Sequence, residues 1–576
     1  MAKENLTRLR AELARQNLDG FIVPHGDEFQ NEYLPACNER LAWLTGFTGS
    51  AGLAIVLKEK AALFIDGRYT VQAAAETAED FERCHITNNP PEIWLKQNAG
   101  GLTLGYDPWL HTPREVEKFA AAGKLIPVTE NPIDTVWQDR PASPQGRVTL
   151  HPFDYAGESS VAKRARVSAT MKENGIEAAI LTDPAAIAWL LNVRGCDVPC
   201  TPLPLSYAIL YQDGSADWFV DPAKQPPAIE GVRPRGRSEF LPALAALGGK
   251  TVQVDPAFAA ASIVSALESA GARIERKPDP CQLPKACKNE AELQGARDAH
   301  LRDGAALTGF LAWLAGQDST ALDELTVVAK LEAFRARANL YRGPSFETIA
   351  GSGPNGAIVH YRATGKTNRV LDANNFLLLD SGAQYPDGTT DVTRTVALGT
   401  VTPRQKEMFT RVLKGHIAIA TARFPKGTTG QQLDALARQA LWEVGANYDH
   451  GTGHGVGSYL SVHEGPQRIS PVGPISGGGA ALAPGMIISN EPGYYEAGAY
   501  GIRIENLIVV RTGGDGFLEF ETLTLAPIDR AAIDGTLLTA PERAWLNAYH
   551  ARVKNALLPL LDEQAASWLI DATRPL

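Results

Sequence analysis

Five residues in the C-terminal half of the chain have the types and order to hold metal: Asp380, Asp391, His454, Glu491 and Glu505. Each sits in a short apolar or glycine-bounded run that predicts a strand. LLLD ends at Asp380, TTDVTRT holds Asp391, GTGHGVG holds His454, IISNEPGYY holds Glu491 and GIRIEN holds Glu505. Carboxylates at the ends of apolar strands are costly to bury unless positive charge neutralises them. Two divalent cations match the four carboxylates charge for charge, with the imidazole on one of them, and the chemistry such a pair supports is hydrolysis. Oxygen-rich donors with one imidazole and no thiolate favour a harder ion such as Mn(II) over a structural zinc. Any one of the five alone would more often be a cap, a turn residue or a hydrogen-bonded histidine, so the reading rests on the set.

The neighbouring residues fit that set. SGAQYPDGTT separates Asp380 from Asp391, and its Pro386 and Asp387-Gly388 are turn signals. A hairpin-like return there would bring both carboxylates to one place, where they could bridge two ions roughly 3.5–4 Å apart. Alternate residues of a strand share a face, so in GIRIEN Arg503 and Glu505 point together while Ile502 and Ile504 pack. A guanidinium so placed can fix the orientation of a metal-bound carboxylate, and Arg503 is also expected among the substrate-binding residues. His360 in IVHYR, His450 four residues before His454, and His463 in SVHEGP flank the five. Neutral imidazoles at such a site can donate to a substrate carbonyl or shuttle a proton; His450 fits equally well as a structural partner behind the ligands. Water held between two cations is deprotonated near neutral pH, which makes it the expected nucleophile. Glu491 is expected to carry its proton to the leaving group.

Antiparallel strands flanked by helices would have to carry these residues. Helical patterns NEAELQGARDAHLRDGAALTGFLAWLAG and LDELTVVAKLEAFRARA are followed by strand signals FETIA, AIVHY, FLLLD and DVTRTVAL. Helices through KEMFTRVLKGHIAIATARF and QQLDALARQALWEVG then precede the histidine and glutamate segments, an order that predicts an α+β sandwich rather than a doubly wound sheet. Upstream, the chain repeats itself. RLRAELARQNLDGFIV (8–23), a helix, a stop at Gly20 and a strand, is answered by RARVSATMKENGIEAAIL (164–181) with Gly175. RLAWLTGFTGSAGLAIV (40–56) is answered by AIAWLLNVRGCDV (186–198). A proline-rich run from Pro127 to Pro152 and a second break at 276–290 separate the modules. The expected division is an α/β module over 1–147, a related α/β module over 148–286, and a larger α+β catalytic module over 287–576.

Three glycine motifs carry no nucleotide chemistry. GSGPNG (351–356) matches a dinucleotide fingerprint, but Pro354 interrupts it and AIVHY reads on as a strand where a helix is required. GKT (365–367) lacks the P-loop glycine, since His360 stands in its place, and GGG (477–479) reads as a flexible loop. A net charge of −10 over 576 residues argues against nucleic acid as a partner. The stretch 304–316 is too short to span a bilayer, and the start MAKENLTRLRAELARQ lacks a signal-peptide core, so no membrane partner is expected. Six sparse cysteines fit a reduced cytoplasmic protein with free thiols; Cys196 and Cys200, with three residues between them and no second pair, do not have zinc-site spacing.

Taken together, LLLDSGAQYPDGTTDVTRT, LKGHIAIA, YDHGTGHGVGSYLSVHEGP and NEPGYYEAGAYGIRIEN resemble the pita-bread metallopeptidases, and more narrowly the cytosolic three-domain Xaa-Pro aminopeptidases. The likeness extends to GSGPNGAIVHY, to FIVPHGDEFQNEY, GFTGSAG and DGRYTVQAA near the start, and to LEFETLTLAPID and ERAWLNAYH, which resemble a C-terminal extension beginning at about 515. The resemblance implies two creatinase-N-like α/β modules before a pita-bread catalytic module. It implies Asp380, Asp391, His454, Glu491 and Glu505 as ligands of two divalent ions, commonly Mn(II), with Asp391 and Glu505 bridging. It implies His360, His463 and Arg68 as substrate-binding residues, peptides beginning Xaa-Pro as substrates, and a homodimer. The loop 471–485 is longer and more glycine-rich than the family pattern and bears on substrate length. Prolidase, which shares the metal set but takes only dipeptides, is the nearest alternative. Methionine aminopeptidase, creatinase-like chemistry and a non-catalytic peptide-binding relative fit less well, because both preceding modules and every ligand are present.

Overall fold

The computed structural model describes residues 2–471 and 479–576, and the chain forms two compact units. The first comprises Met1–Phe153 and Glu158–Gln282, the second Asp154–Gly157 and Leu283–Leu576. Of the loop 471–485, residues 472–478 lie outside the described residues.

The first unit contains the repeat as two six-stranded sheets of one topology. In one, Glu82–His85, Ala61–Ile65, Leu53–Leu57, Gly20–Pro24, Thr103–Tyr106 and Lys124–Pro127 lie side by side in that order. In the other, the order is Val232–Arg235, Ala216–Phe219, Tyr207–Tyr211, Ala178–Leu181, Thr251–Val254 and Arg273–Arg276. Strand directions match pair by pair: Gly20–Pro24 runs antiparallel to one neighbour and parallel to the other, and so does Ala178–Leu181. The central strands GFIVP and AAIL are buried at every position, as expected where helices cover both faces.

The stops between helix and strand differ from the sequence reading. Helix Ala2–Arg15 ends with Asn17 in the left-handed region at φ 57°, the place Gly175 takes at φ 70° after helix Ser160–Glu173. Gly20 stands instead inside its strand, where a Cβ would lie 2.6 Å from the Val56 carbonyl oxygen. A close backbone approach, not a turn, requires that glycine.

The second unit is antiparallel throughout its two main sheets. A three-stranded sheet runs Ile349–Ser352, Phe376–Ser381, Val392–Ala397. A six-stranded sheet runs Arg423–Pro425, Phe517–Thr522, Asn506–Gly514, Ile487–Asn490, Gly453–Gly455, Glu464–Ile469. The 26-residue helix Glu290–Ala315 starts at an Asn289/Glu292 capping box, and its Leu307, Phe310, Leu311 and Leu314 pack against Leu377, Leu379 and Val392. Each such leucine contributes about 1.5–3 kcal/mol on burial, which seats the strands carrying the two aspartates. Helix Pro403–Ala420 begins at a Thr402/Gln405 capping box and crosses helix Gly430–Trp442 at Gly415, where a Cβ would lie 2.0 Å from the Ala437 carbonyl oxygen. The strand expected after Pro354 does not form. AIVHY forms no strand: Gly353–Ala357 is a short 3-10 helix and His360 lies on the turn after it, because Pro354 cannot donate to a ladder. Among the described residues no helix is long and apolar enough to cross a membrane.

Candidate metal centre

The two aspartates come from one folded-back segment. Phe376–Ser381 pairs with Val392–Ala397, placing Asp380 opposite Thr393. Between them Gln384–Tyr385 pairs with Gly388–Thr389 around Pro386-Asp387, the hairpin the turn signals predicted. Asp391 falls just before its strand, so the ladder begins one residue beyond the ligand. Both carboxylates are buried.

His454 arrives on Gly453–Gly455, a three-residue strand squeezed between Glu464–Ile469 and Ile487–Asn490. A Cβ at position 453 would lie 1.9 Å from the Ser489 carbonyl oxygen, so this approach admits only glycine. The His454 Nδ1–H donates to the Gly455 carbonyl at 3.0 Å. That bond fixes the tautomer and turns the Nε2 lone pair toward Asp391 Oδ2 and Glu491 Oε1, each 3.5 Å away. Ser489 Oγ accepts from the His454 backbone N–H at 2.9 Å and donates to Glu491 Oε1 at 3.1 Å.

The glutamates lie off the strands in which the sequence had placed them. Glu491 follows Ile487–Asn490, its N–H donating to the Thr452 carbonyl at 2.8 Å. Glu505 lies between Tyr500–Arg503 and Asn506–Gly514, its N–H donating to the Thr393 carbonyl at 3.1 Å. Freed from a ladder, each side chain can turn inward while its backbone N–H remains paired. Thr393 Oγ1 donates to Glu505 Oε2 at 2.8 Å and accepts from Arg503 Nε at 3.2 Å, so Arg503 and Glu505 meet on one side as expected. Arg503 also donates to Asp380 Oδ2 at 2.6 Å and to Tyr495 Oη at 2.7 Å.

Donor atoms of Asp391, His454 and Glu505 lie within 4.8 Å of one another. Asp380 Oδ1, Asp391 Oδ1 and Glu505 Oε1 are buried with no hydrogen-bond partner. Burial, then repulsion from the other carboxylates, pushes Asp391 and Glu505 well above the usual carboxylate range. Burial also raises Glu491 to about 7, with Arg503 opposing and Asp380 adding. Orphaned oxygens and crowded negative charge are what hard divalent cations relieve, so the residues present fit two such ions.

The flanking residues divide. The His463 ring packs on His454 with centroids 4.3 Å apart. Glu464, beside it, is held in the core by Lys285 at 2.8 Å and by Lys288. His450 donates from Nδ1 to the Gly451 carbonyl, and its Nε2 accepts from Tyr495 Oη at 2.9 Å. His450 therefore reaches Asp380 through Tyr495 and Arg503. His360 lies on the turn following Gly353–Ala357. Arg68 belongs to the first unit, where Asp66 grips its guanidinium at 3.0 and 2.8 Å and Glu32 lies 3.9 Å away. Sequence reasoning missed Thr393, Ser489 and Tyr495. The first two sit two residues from a ligand, on the face that strand alternation assigns to it, and that signal could have found them.

The creatinase/prolidase N-terminal domain matches residues 5–136 and, in a second version, 139–292. Metallopeptidase family M24 matches residues 294–512, and the C-terminal region of peptidase M24 matches 516–576. A probable Xaa-Pro aminopeptidase P of Laccaria bicolor is 39% identical over 607 residues, covering 100% of this chain and 93% of that protein. The chain belongs to metallopeptidase family M24. Among its M24 relatives, aminopeptidase P1 of Arabidopsis thaliana is 37% identical, covering 99% of each chain. The crystal structure of an X-prolyl aminopeptidase from Caenorhabditis elegans, a cytosolic enzyme with a di-nuclear active site, superposes with a TM-score of 0.93 at 32% identity over 100% of both chains. The expected fold, two creatinase-N-like modules and an M24 pita-bread module, is therefore borne out.

Proposed function

We propose that this M24 chain is a metal-dependent aminopeptidase that releases the N-terminal residue from peptides with proline at the second position. The observation that carries the reading is that donor atoms of Asp391, His454 and Glu505 lie within 4.8 Å of one another, with Glu491 Oε1 3.5 Å from His454 Nε2 and buried unpartnered oxygens on Asp380, Asp391 and Glu505. Full-length similarity to Xaa-Pro aminopeptidases supports the substrate class.

Asp380, Asp391, His454, Glu491 and Glu505 would hold two divalent cations, for which Mn(II) suits the donor set. When bound, the pair supplies Lewis acidity toward the scissile carbonyl and a nucleophile from water at neutral pH. The chain's own residues do the rest. Glu491 Oε1 takes up the nucleophile's proton and delivers it to the departing nitrogen. Arg503 locks Asp380, Thr393 locks Glu505, and Ser489 locks Glu491, so the ligands need not reorganise. His463 and His360 are assigned to the substrate carbonyl, and Arg68 to substrate binding as the family resemblance implies; His450 supports the ligands through Tyr495. An amide to proline lacks an N–H and restricts the preceding residue, so sites that grip that N–H reject it and a site shaped for the ring accepts it. The same reading places the enzyme in the cytoplasm as a homodimer, with modules at 1–147, 148–286 and 287–576.

A peptide-length series with Mn(II) tests the substrate. Xaa-Pro-Pro-Yaa peptides are expected to be cleaved at least as well as Xaa-Pro; cleavage confined to the dipeptide would assign the chain to prolidase instead.

A further inference from the structure

Alternation along Val392–Ala397 turns Thr393 toward the carboxylates and Arg394 the opposite way. Arg394 is 2% exposed and its five N–H donors reach six acceptors, one hydrogen on Nη2 being shared, and none of the acceptors is a carboxylate. Its acceptors are the carbonyls of Thr393 (2.8 Å), Glu505 (2.6 Å), Ala526 (2.8 Å) and Pro527 (3.0 Å), Asn506 Oδ1 (2.8 Å) and Tyr549 Oη (3.0 Å). A buried guanidinium costs several kcal/mol unless its donors are filled, and Arg394 is filled by joining the strands beside Asp391 and Glu505 to residues 526, 527 and 549.

A second clamp lies next to it. His416, on helix Pro403–Ala420, donates from Nδ1 to the Asn490 carbonyl at 3.1 Å, and its Nε2 accepts from Asn506 Nδ2 at 3.1 Å. Asn490 Nδ2 returns a bond to the His416 carbonyl at 2.9 Å. Asn490 precedes Glu491 and Asn506 follows Glu505. One buried network thus holds the Asn490 carbonyl just before Glu491, and the Glu505 carbonyl together with the Asn506 side chain just after it. Its outer members belong to helix Ala540–Leu557: the Trp545 ring meets His416 edge-on at 5.9 Å and stacks on Tyr549 at 5.3 Å, and Tyr549 Oη bonds the Ala526 carbonyl at 2.8 Å.

We infer that the C-terminal segment is a brace for the metal centre, in which Tyr549, through Arg394, Asn506 and His416, sets where Glu491 and Glu505 present their oxygens to the cations. These are positioning residues; none is assigned to touch substrate. The inference rests on the reading of the two glutamates as metal ligands, and its test keeps the two separable.

Co(II), titrated into metal-free protein and followed by its visible absorption, reads affinity and ligand geometry without turnover. Glu505→Gln is expected to lose tight binding; if it binds two Co(II) like the wild type, the metal reading itself fails. Tyr549→Phe, which removes one hydroxyl, is expected to bind about tenfold more weakly, the low end for partners of ligands, with a shifted spectrum. Leu569→Ala, a core change in the same segment outside the network, is expected to lower the melting temperature and leave the titration unchanged. Wild-type titration by Tyr549→Phe, or an equal loss in Leu569→Ala, overturns the brace. The unmodified protein gives a second reading: Co(II) is expected to slow amide hydrogen exchange in Ala540–Leu557, and unchanged exchange there overturns the inference even if Tyr549→Phe does not fold.

Discussion

The two aspartates and the two glutamates serve one candidate site, but the chain brings them there differently. Asp380 and Asp391 are eleven positions apart and come together through a hairpin whose register the backbone ladder enforces. Glu491 and Glu505 sit in gaps between strands, and groups from two distant segments hold the backbone beside them: the Thr393 carbonyl and the Arg394 side chain at Glu505, and the His416 side chain just before Glu491. The aspartate half is built locally and is rigid by construction. The glutamate half depends on long-range bonds to groups that never touch a cation, so its precision can be lost by changes far from the site.

The largest expected effect is at a ligand. Asp391→Ala removes a donor next to His454 and Glu505, and metal content after dialysis together with turnover is expected to fall below detection. The loss exceeds ~100-fold because even neighbours of ligands typically cost 10–100-fold. Full turnover after exhaustive chelation of the wild type would contradict the same claim.

Arg503 joins the two halves, donating to Asp380 of one and sharing Thr393 with Glu505 of the other. Arg503→Met is expected to weaken Mn(II) binding about 10–100-fold by calorimetric titration. Arg503→Lys is expected to recover little, because a single ammonium cannot reach Asp380, Thr393 and Tyr495 together. Full recovery by lysine would mean that charge alone matters at this position.

The pH response follows from the crowded carboxylates. In metal-free protein Glu491 titrates at about 7, above its ordinary 4.5, so the folded state holds that proton more tightly than the unfolded one. Its contribution to stability is present below pH 4.5 and is lost as pH rises through 7; Asp391 and Glu505 shift the same way. Metal competes with those protons. The melting temperature of metal-free protein is therefore expected to fall between pH 5 and pH 8 relative to the Mn(II)-loaded protein (~5 and ~8 being set by these titrations). A stabilisation by Mn(II) that shrinks with rising pH would contradict this.

The smallest effect should fall on the aspartate hairpin. Pro386→Ala is expected to cost about 0.4–1 kcal/mol of stability in urea unfolding while leaving the Mn(II) affinity unchanged, because the ladder still fixes register. An affinity loss as large as that of Arg503→Met would erase the distinction between the halves.

The same contrast governs what the sequence made legible. Turn residues and apolar alternation are local signals, and they located the hairpin, the strand FLLLD, the long buried helix and the doubled α/β module. The candidate ligand set stood out because charge in apolar runs is unusual. Signals failed where tertiary contacts decide. Glu491 and Glu505 lie beside strands rather than in them, AIVHY is a turn, and Gly20 is required by a neighbouring carbonyl while Asn17 supplies the left-handed stop. Arg394, His416 and Tyr549 carried no local mark, since a buried cation satisfied by carbonyls looks in sequence like any arginine in a strand.

The most direct test is anomalous diffraction at the manganese edge from crystals soaked in Mn(II). The account predicts two peaks roughly 3.5–4 Å apart, enclosed by Asp380, Asp391, His454, Glu491 and Glu505. A single peak, or two peaks elsewhere in a crystal of active enzyme, would contradict it.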